Sequence, residues 1–526
     1  MRSTTRRSIA LAALLGTAGG LVAAAALAGP GGGTAPTFTP IGTYATGLTG
    51  GTSGETSAFA DGRLYVTNST GNSLDVVNAS NPAAPVLERR IDLSPYGAGP
   101  NSVDVSENGV VAVAVEAAPK TDPGKVVFLR ADGTFLATVT VGALPDMLVF
   151  TEDGDLLVAN EGEPSGYNGQ GTDPEGSVSV VSTKGILGGR APLVRTAAFT
   201  DFNAGGPRAA QLPAGVRRNG PGATVAQDLE PEYITVSGDG RTAHVTLQEA
   251  NAVAQIDVRA ARVTRIVALG WKDHSLPGNA LDPSDRDGGV NIAAWPVRGL
   301  YMPDAIAGFR VRGQQYLITA NEGDGRDWPG FGDESRVGAL TLDPVAFPNA
   351  AALKANAALG RLNVSKTDGT GPNGYTALYS FGARSATIWT AGGQRVWESG
   401  DQIERRVAAD RPLAFNASND NNTLDDRSDN KGPEPEGVAV GRIDGRTYAF
   451  VGLERVGGFM VFDVSTPTAP TLVQWANNRD YTRVPAGPDS GPEVVHFVDE
   501  DDSPTGRPLV TVANEVSGTV TFYEAR

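Results

Sequence analysis

The sequence predicts an all-β, seven-bladed β-propeller closed by its N-terminal strand, with a long α/β insertion in the fifth unit. Three observations carry this. One strand–turn–strand unit recurs seven times. Glycine and proline reach 67 and 35 of 526 residues, with β-branched runs between them. A lone strand pattern at Phe38 to Tyr44 has no partner of its own, while the last unit, ending at Phe522-Tyr523, lacks a fourth strand.

Each unit opens on a Pro or Gly and usually an acid: Gly54-Glu55, Pro100-Asn101, Pro145-Asp146, Pro231-Glu232, Pro303-Asp304, Pro435-Glu436 and Pro492-Glu493. An apolar strand, a tight turn and a second apolar strand follow. Asn108-Gly109, Asp153-Gly154, Asp239-Gly240 and Asp444-Gly445 supply the positive φ that a short hairpin needs. Third strands such as Val126 to Leu129 and Phe459 to Val464 complete a meander that cannot bury both faces alone, so the units are expected to stack radially. Residues 37–526 form the propeller in this reading, with the main insertion at 343–432. That insertion is expected to hold a helix around Asn349 to Leu359 and a hairpin at Tyr375 to Trp397.

Residues 1–28 read as a secretion signal: Arg2, Arg6 and Arg7, then an Ala/Leu-rich stretch, then Ala26-Leu27-Ala28 as a cleavage site. Thr5-Arg6-Arg7-Ser8-Ile9 partly resembles a twin-arginine signal, so both export routes stay open. Residues 29–36 read as a flexible lead. The expected location is secreted, periplasmic or cell-envelope, with no transmembrane segment and a monomeric state. The chain has no cysteine, so its stability outside the cytoplasm must come from a large core, from metal, or from both. With 43 basic against 59 acidic residues, the net charge of −16 disfavours nucleic acid and favours cations.

The loop entering the first strand and the end of the second strand share one face of a propeller. Two rings of side chains are therefore expected at one mouth of the axial channel. The first is Glu55, Asn101, Asp146, Glu232, Asp304, Glu436 and Glu493; the second is Ser69, Glu116, Glu161, Gln248, Glu322, Glu454 and Glu515. So many carboxylates in one funnel call for cations, basic partners or raised pKa values. Capping of backbone amides and pairing with arginine between blades is the alternative for any single acid. For the set, the expected ligands of a divalent metal are Glu161, Glu232, Asp304, Glu322, Asp324, Glu434, Glu436 and Glu493. Calcium is favoured because oxygen donors dominate; His244, His274 and His496 stand alone, which disfavours zinc. Arg326, Arg336 and Lys431 lie among these acids and are the candidates for neutralising a phosphate ester, with salt-bridge roles equally open. No nucleophile is identified: there is no Gly-x-Ser-x-Gly elbow and no Walker loop.

The stretch Asn416 to Gly437, Asn-Ala-Ser-Asn-Asp-Asn-Asn-Thr-Leu-Asp-Asp-Arg-Ser-Asp-Asn-Lys-Gly-Pro-Glu-Pro-Glu-Gly, resembles the choice-of-anchor I family. Asn321-Glu322-Gly323-Asp324, Asn160-Glu161-Gly162-Glu163 and Asp228-Leu229-Glu230-Pro231-Glu232 fit the same pattern, and the likeness runs through the chain after the signal. The resemblance implies a secreted or surface propeller. The family includes mesenchyme-specific cell-surface glycoproteins, animal relatives linked to calcium-rich mineral, and bacterial proteins labelled alkaline phosphatase. The Pro-Glu-Gly element also resembles phytase-like propellers, in which acidic loops hold calcium that grips phosphate. Two functions follow as expectations: an exported metal-dependent phosphomonoesterase or phosphodiesterase, or a non-catalytic calcium-binding surface or matrix protein whose mouth binds an envelope or matrix component. The family takes its name from varied C-terminal anchors, none is expected before Arg526, and attachment stays open.

Overall fold

The computed structural model describes residues 35–48, 53–483 and 488–526. The predicted signal and most of the predicted lead fall outside the described residues. From Pro36 onward the chain is one compact unit, all-β with few helices.

Among the described residues, seven four-stranded antiparallel sheets coincide with the repeats. Their first strands are Ser53–Ala60, Gly99–Val105, Pro145–Phe150, Pro231–Val236, Ile306–Val311, Pro435–Ile443 and Pro492–Val498. Each first strand packs beside the next, and the last returns to the first, so the seven form a closed cycle. Local chemistry sets the hairpins. Between Ile443 and Arg446, which pair directly, Asp444 and Gly445 both adopt positive φ, at 50° and 77°. That is the two-residue turn whose twist matches the flanking strands.

The N-terminal strand pairs with the last one, as expected: Phe38 lies opposite Ala525 and Ala45 opposite Thr519. It is therefore the fourth strand of the seventh sheet. Phe38 packs among Phe450, Phe459 and Tyr523, while Tyr44 lies with Phe59 and Phe522. Apolar clusters of this kind fill each gap between neighbouring sheets. Burying such side chains stabilises by about 1.5–3 kcal/mol each.

The 343–432 insertion differs from expectation. Ser385–Thr390 pairs along Gln314–Asn321, and Arg395–Glu398 pairs with Ser385–Thr390 in turn, so both are strands of the fifth sheet itself. The extra chain is thus split into 322–384 and 399–434. The first part has its own core of Val337, Leu340, Phe347, Leu359 and Val364. Within it the expected 349–359 helix is only Ala350–Leu353, and a nine-residue helix, Gln402–Asp410, stands in the second part. That helix buries Ile403, Glu404 and Val407 with Ala408 packed part-way beside them, so Ile403 and Val407 are the only large apolar residues that mark it in the sequence.

Candidate acidic metal centre

The acids of the first ring are aimed by a backbone irregularity. In six of the seven first strands the register with the second strand slips across the residue that opens the repeat: between Ser53 and Ser57, Pro100 and Ser102, Pro145 and Leu148, Pro231 and Ile234, Pro435 and Val438, and Pro492 and Val494. A bulge leaves the extra residue outside the ladder and turns its side chain. Glu55, Asn101, Asp146, Glu232, Glu436 and Glu493 sit within these slips. Asp304 takes the equivalent place just before its strand.

The result is a cavity of about 330 Å³ lined by Asp146, Glu161, Glu232, Asp304, Glu322, Asp324, Glu436, Glu454 and Glu493, with Gln248, Lys431 and Arg455. Nine carboxylates face two cations there. Asp146, Asp304 and Glu493 also close one end of a second cavity of about 310 Å³ along the first strands, in which His496 lies. Burial pushes the His496 imidazole down to about 4 and keeps it neutral.

Burial and mutual repulsion hold the mouth acids in a strained balance. Burial, then Glu163 and Glu116, raises Asp146 to about 7. Burial, then the Glu322 carboxylate, raises Asp304 to about 8 although it shares a hydrogen bond with Glu232. Burial also raises Glu454 to about 8 and Asp324 to about 7, against the opposing pull of Arg455 and Lys431 respectively. Glu161, Glu232, Glu436 and Glu493 are pushed well up, by burial first and by neighbouring acids second. The Oε2 atom of Glu436, a residue only 8% exposed, finds no hydrogen-bond donor among the described residues.

Of the eight expected metal ligands, seven line this cavity and Glu434 does not. Glu434 is fully buried and bound by three cations: Arg427 Nη2 at 2.5 Å, Arg455 Nε at 3.0 Å and Lys431 Nζ at 3.3 Å. Burial alone would raise it, but Lys431, Arg455 and Arg427 overcome that and hold it well below the usual carboxylate range. It thus serves as a counter-ion at a left-handed φ of 52°, yet one carboxylate oxygen from each of Glu434, Glu322 and Glu454 lies within 4.8 Å of the others, so it stays beside the mouth acids as a candidate ligand.

The three candidate cations part company. Lys431 lines the mouth, bonded to Glu322, whose other oxygen accepts from Gln248 Nε2 at 2.7 Å. Arg326 is instead sealed inside the protein, its guanidinium 2.9 Å from Glu230 and 3.3 Å from Asp228, donating also to Asn219. Arg336 binds the carbonyls of Arg361 and Asp429 and the Asp429 carboxylate at 3.1 Å, and it does not line the cavity. Arg455 is the cation that sequence reasoning missed. It follows Glu454, the second-ring acid, and that adjacency was its only signal.

A family model described as the Choice-of-anchor I domain matches residues 57–467. The chain belongs to the choice-of-anchor I family. Among relatives of this choice-of-anchor I chain, the mesenchyme-specific cell surface glycoprotein of Strongylocentrotus purpuratus is 28% identical over 290 residues, covering 47% of this chain and 37% of that one. Gigasin-3a of Magallana gigas is 32% identical over 187 residues, covering 32% of this chain and 66% of that one. The chain thus spans 37% and 66% of these relatives' lengths. Hydrazine synthase of Kuenenia stuttgartiensis, a solved structure, is 15% identical with 91% of this chain and 99% of that chain covered, at a TM-score of 0.46, too low to carry an argument. Among the described residues of the choice-of-anchor I chain, no helix is long and apolar enough to cross a membrane.

Proposed function

We propose that the chain is an exported seven-bladed ring, closed by its N-terminal strand, that binds a divalent metal at its acidic mouth, with calcium the favoured ion. The observation that carries this reading is the cavity with nine carboxylates against two cations. An all-oxygen donor set suits a hard divalent cation. The donorless Oε2 of Glu436 fits such an ion, and Glu232, Asp304, Glu436 and Glu493 are the residues that would hold it, with Glu161, Glu322 and Asp324 at the rim. The name of the Strongylocentrotus purpuratus relative supports a cell-surface setting, and the reading of residues 1–28 supports export.

Hydrolysis of phosphate monoesters is the activity proposed for this centre. A bound divalent ion would neutralise phosphoryl charge and lower the pKa of water. Lys431 and Arg455 share the cavity and would add positive charge beside the ester. No serine, threonine or histidine lines the cavity among the described residues, which favours direct attack by water over a hydroxyl nucleophile. A specific observation favours the second reading, a non-catalytic calcium-binding surface protein: Lys431 and Arg455 are already committed to Glu322, Glu434 and Glu454.

The test is turnover of p-nitrophenyl phosphate by chelator-stripped protein with calcium, manganese or iron restored singly. Metal-dependent turnover lost in Glu436→Gln supports the phosphatase. A calcium-dependent rise in melting temperature without turnover leaves the binding protein. Neither effect removes both.

A further inference from the structure

Outside the mouth, two connections between sheets meet at a second acidic group. Asp282 and Asp287 come from the connection between the fourth and fifth sheets, and Asp425 from the connection between the fifth and sixth. One carboxylate oxygen from each lies within 4.8 Å of the others. None of the three lines the mouth cavity. Asp282 is fully buried and Asp425 is 4% exposed.

Among the described residues, no cation pairs with any of the three, although arginines surround them. Arg384 is spent on Glu404 at 2.7 Å, Arg361 on Asp285 and Asp429 at 2.9 and 2.6 Å, Arg336 on Asp429 at 3.1 Å, and Arg286 on Asp285 at 3.0 Å. Three clustered carboxylates with every nearby cation directed elsewhere must either hold protons, as burial favours by raising Asp282 and Asp425 to about 7, or be joined by a positive charge.

A separate observation comes from Asn416. This residue is fully buried, and its amide Nδ2 donates to Glu404 at 2.9 Å and to Ser428 Oγ at 2.8 Å. Ser428 in turn donates to Asp425 at 2.5 Å, which puts Asn416 one hydroxyl from the cluster. Its Oδ1 meets no donor among the described residues. Flipping the amide does not cure this, because Glu404 accepts from Nδ2 and an oxygen there would face a carboxylate. A sealed amide oxygen without a donor is costly unless something outside the protein meets it.

We propose that Asp282, Asp287 and Asp425 hold a second divalent cation of the calcium class, with the Asn416 amide oxygen as the neutral donor beside them. The ion staples residues 282–291 to residues 416–428. It thereby fixes the start of the short run that brings Lys431 to the mouth and sets its partners Arg427 and Glu434 beside it. Its role is structural, and it stands whether or not the mouth itself binds metal.

The experiment is calorimetric titration of calcium alone into chelator-stripped full chain, comparing wild type, Asp425→Asn and Glu436→Gln. The expected result is one fewer ion per chain in Asp425→Asn, with that ion retained in Glu436→Gln. Equal binding by Asp425→Asn and wild type overturns the site. Should Asp425→Asn fail to fold, hydrogen exchange on Glu436→Gln with and without calcium decides. Slowing by about tenfold or more in 282–291 and 416–428 supports the staple, and unchanged exchange there overturns it.

Discussion

Arg455 Nε stands 3.0 Å from Glu434 Oε2, tying the second residue past one strand of the sixth sheet to the buried carboxylate just before another. Glu434 also holds Arg427 and Lys431, so its charge anchors three cations at the edge of the mouth. Removing one partner of a buried pair leaves the others uncompensated. Glu434→Gln is therefore expected to lose about 3–5 kcal/mol in urea unfolding. A loss below about 1 kcal/mol contradicts the anchoring role.

Arg326 gives a contrasting expectation. Its guanidinium is enclosed by Glu230 and Asp228, so its replacement acts on folding rather than on a bound ester. Arg326→Met is expected to cost about 3–5 kcal/mol in the same assay. A folded Arg326→Met of wild-type stability that lost only phosphate-ester turnover would return this residue to the reaction.

The sign of the pH dependence follows from the raised carboxyls. A group that binds its proton more tightly when folded destabilises the fold as pH rises from its unfolded value through its folded one. Asp146 near 7, Asp304 near 8 and Glu454 near 8 place that window between about pH 4 and 8 for metal-free protein. Its melting temperature should fall as pH rises from 5 to about 8, and calcium should raise it more at the upper end, where binding no longer has to displace protons. A calcium effect that is larger at pH 5 than at pH 8 contradicts this.

Ring closure makes a prediction at the other end of the chain. Deleting residues 35–47 removes the strand paired with the last one, together with buried Phe38 and Tyr44. The loss should exceed the roughly 3 kcal/mol of one buried aromatic side chain. An unchanged melting temperature means that the strand is not part of the closure.

The sheets were legible because each repeat carries its own punctuation. Asp444-Gly445 predicts its hairpin unaided, and the unpaired run at Phe38 pointed to the strand-poor last unit. Ser385–Thr390 was not legible as a strand of the fifth sheet, because 63 residues separate Asn321 from its partner Ser385 and turn chemistry says nothing across that gap. At the mouth, the repeat register placed seven of the eight expected ligands on one cavity. It could not sort Glu434 from Glu436, two residues apart. One turns into a pocket of three cations and the other into the funnel, a difference made by the backbone turn at Glu434 and the bulge after Pro435. Arg326 misled for a related reason: sequence shows that a cation is near acids, and only the fold shows that Asp228 and Glu230 have already enclosed it.

The most direct measurement is anomalous diffraction from crystals of chelator-stripped protein soaked in calcium. The account predicts a peak in the mouth, among the carboxylates of Glu232, Asp304, Glu436 and Glu493. A mouth without that peak, with Lys431 and protonated carboxyls alone balancing its charge, would contradict it.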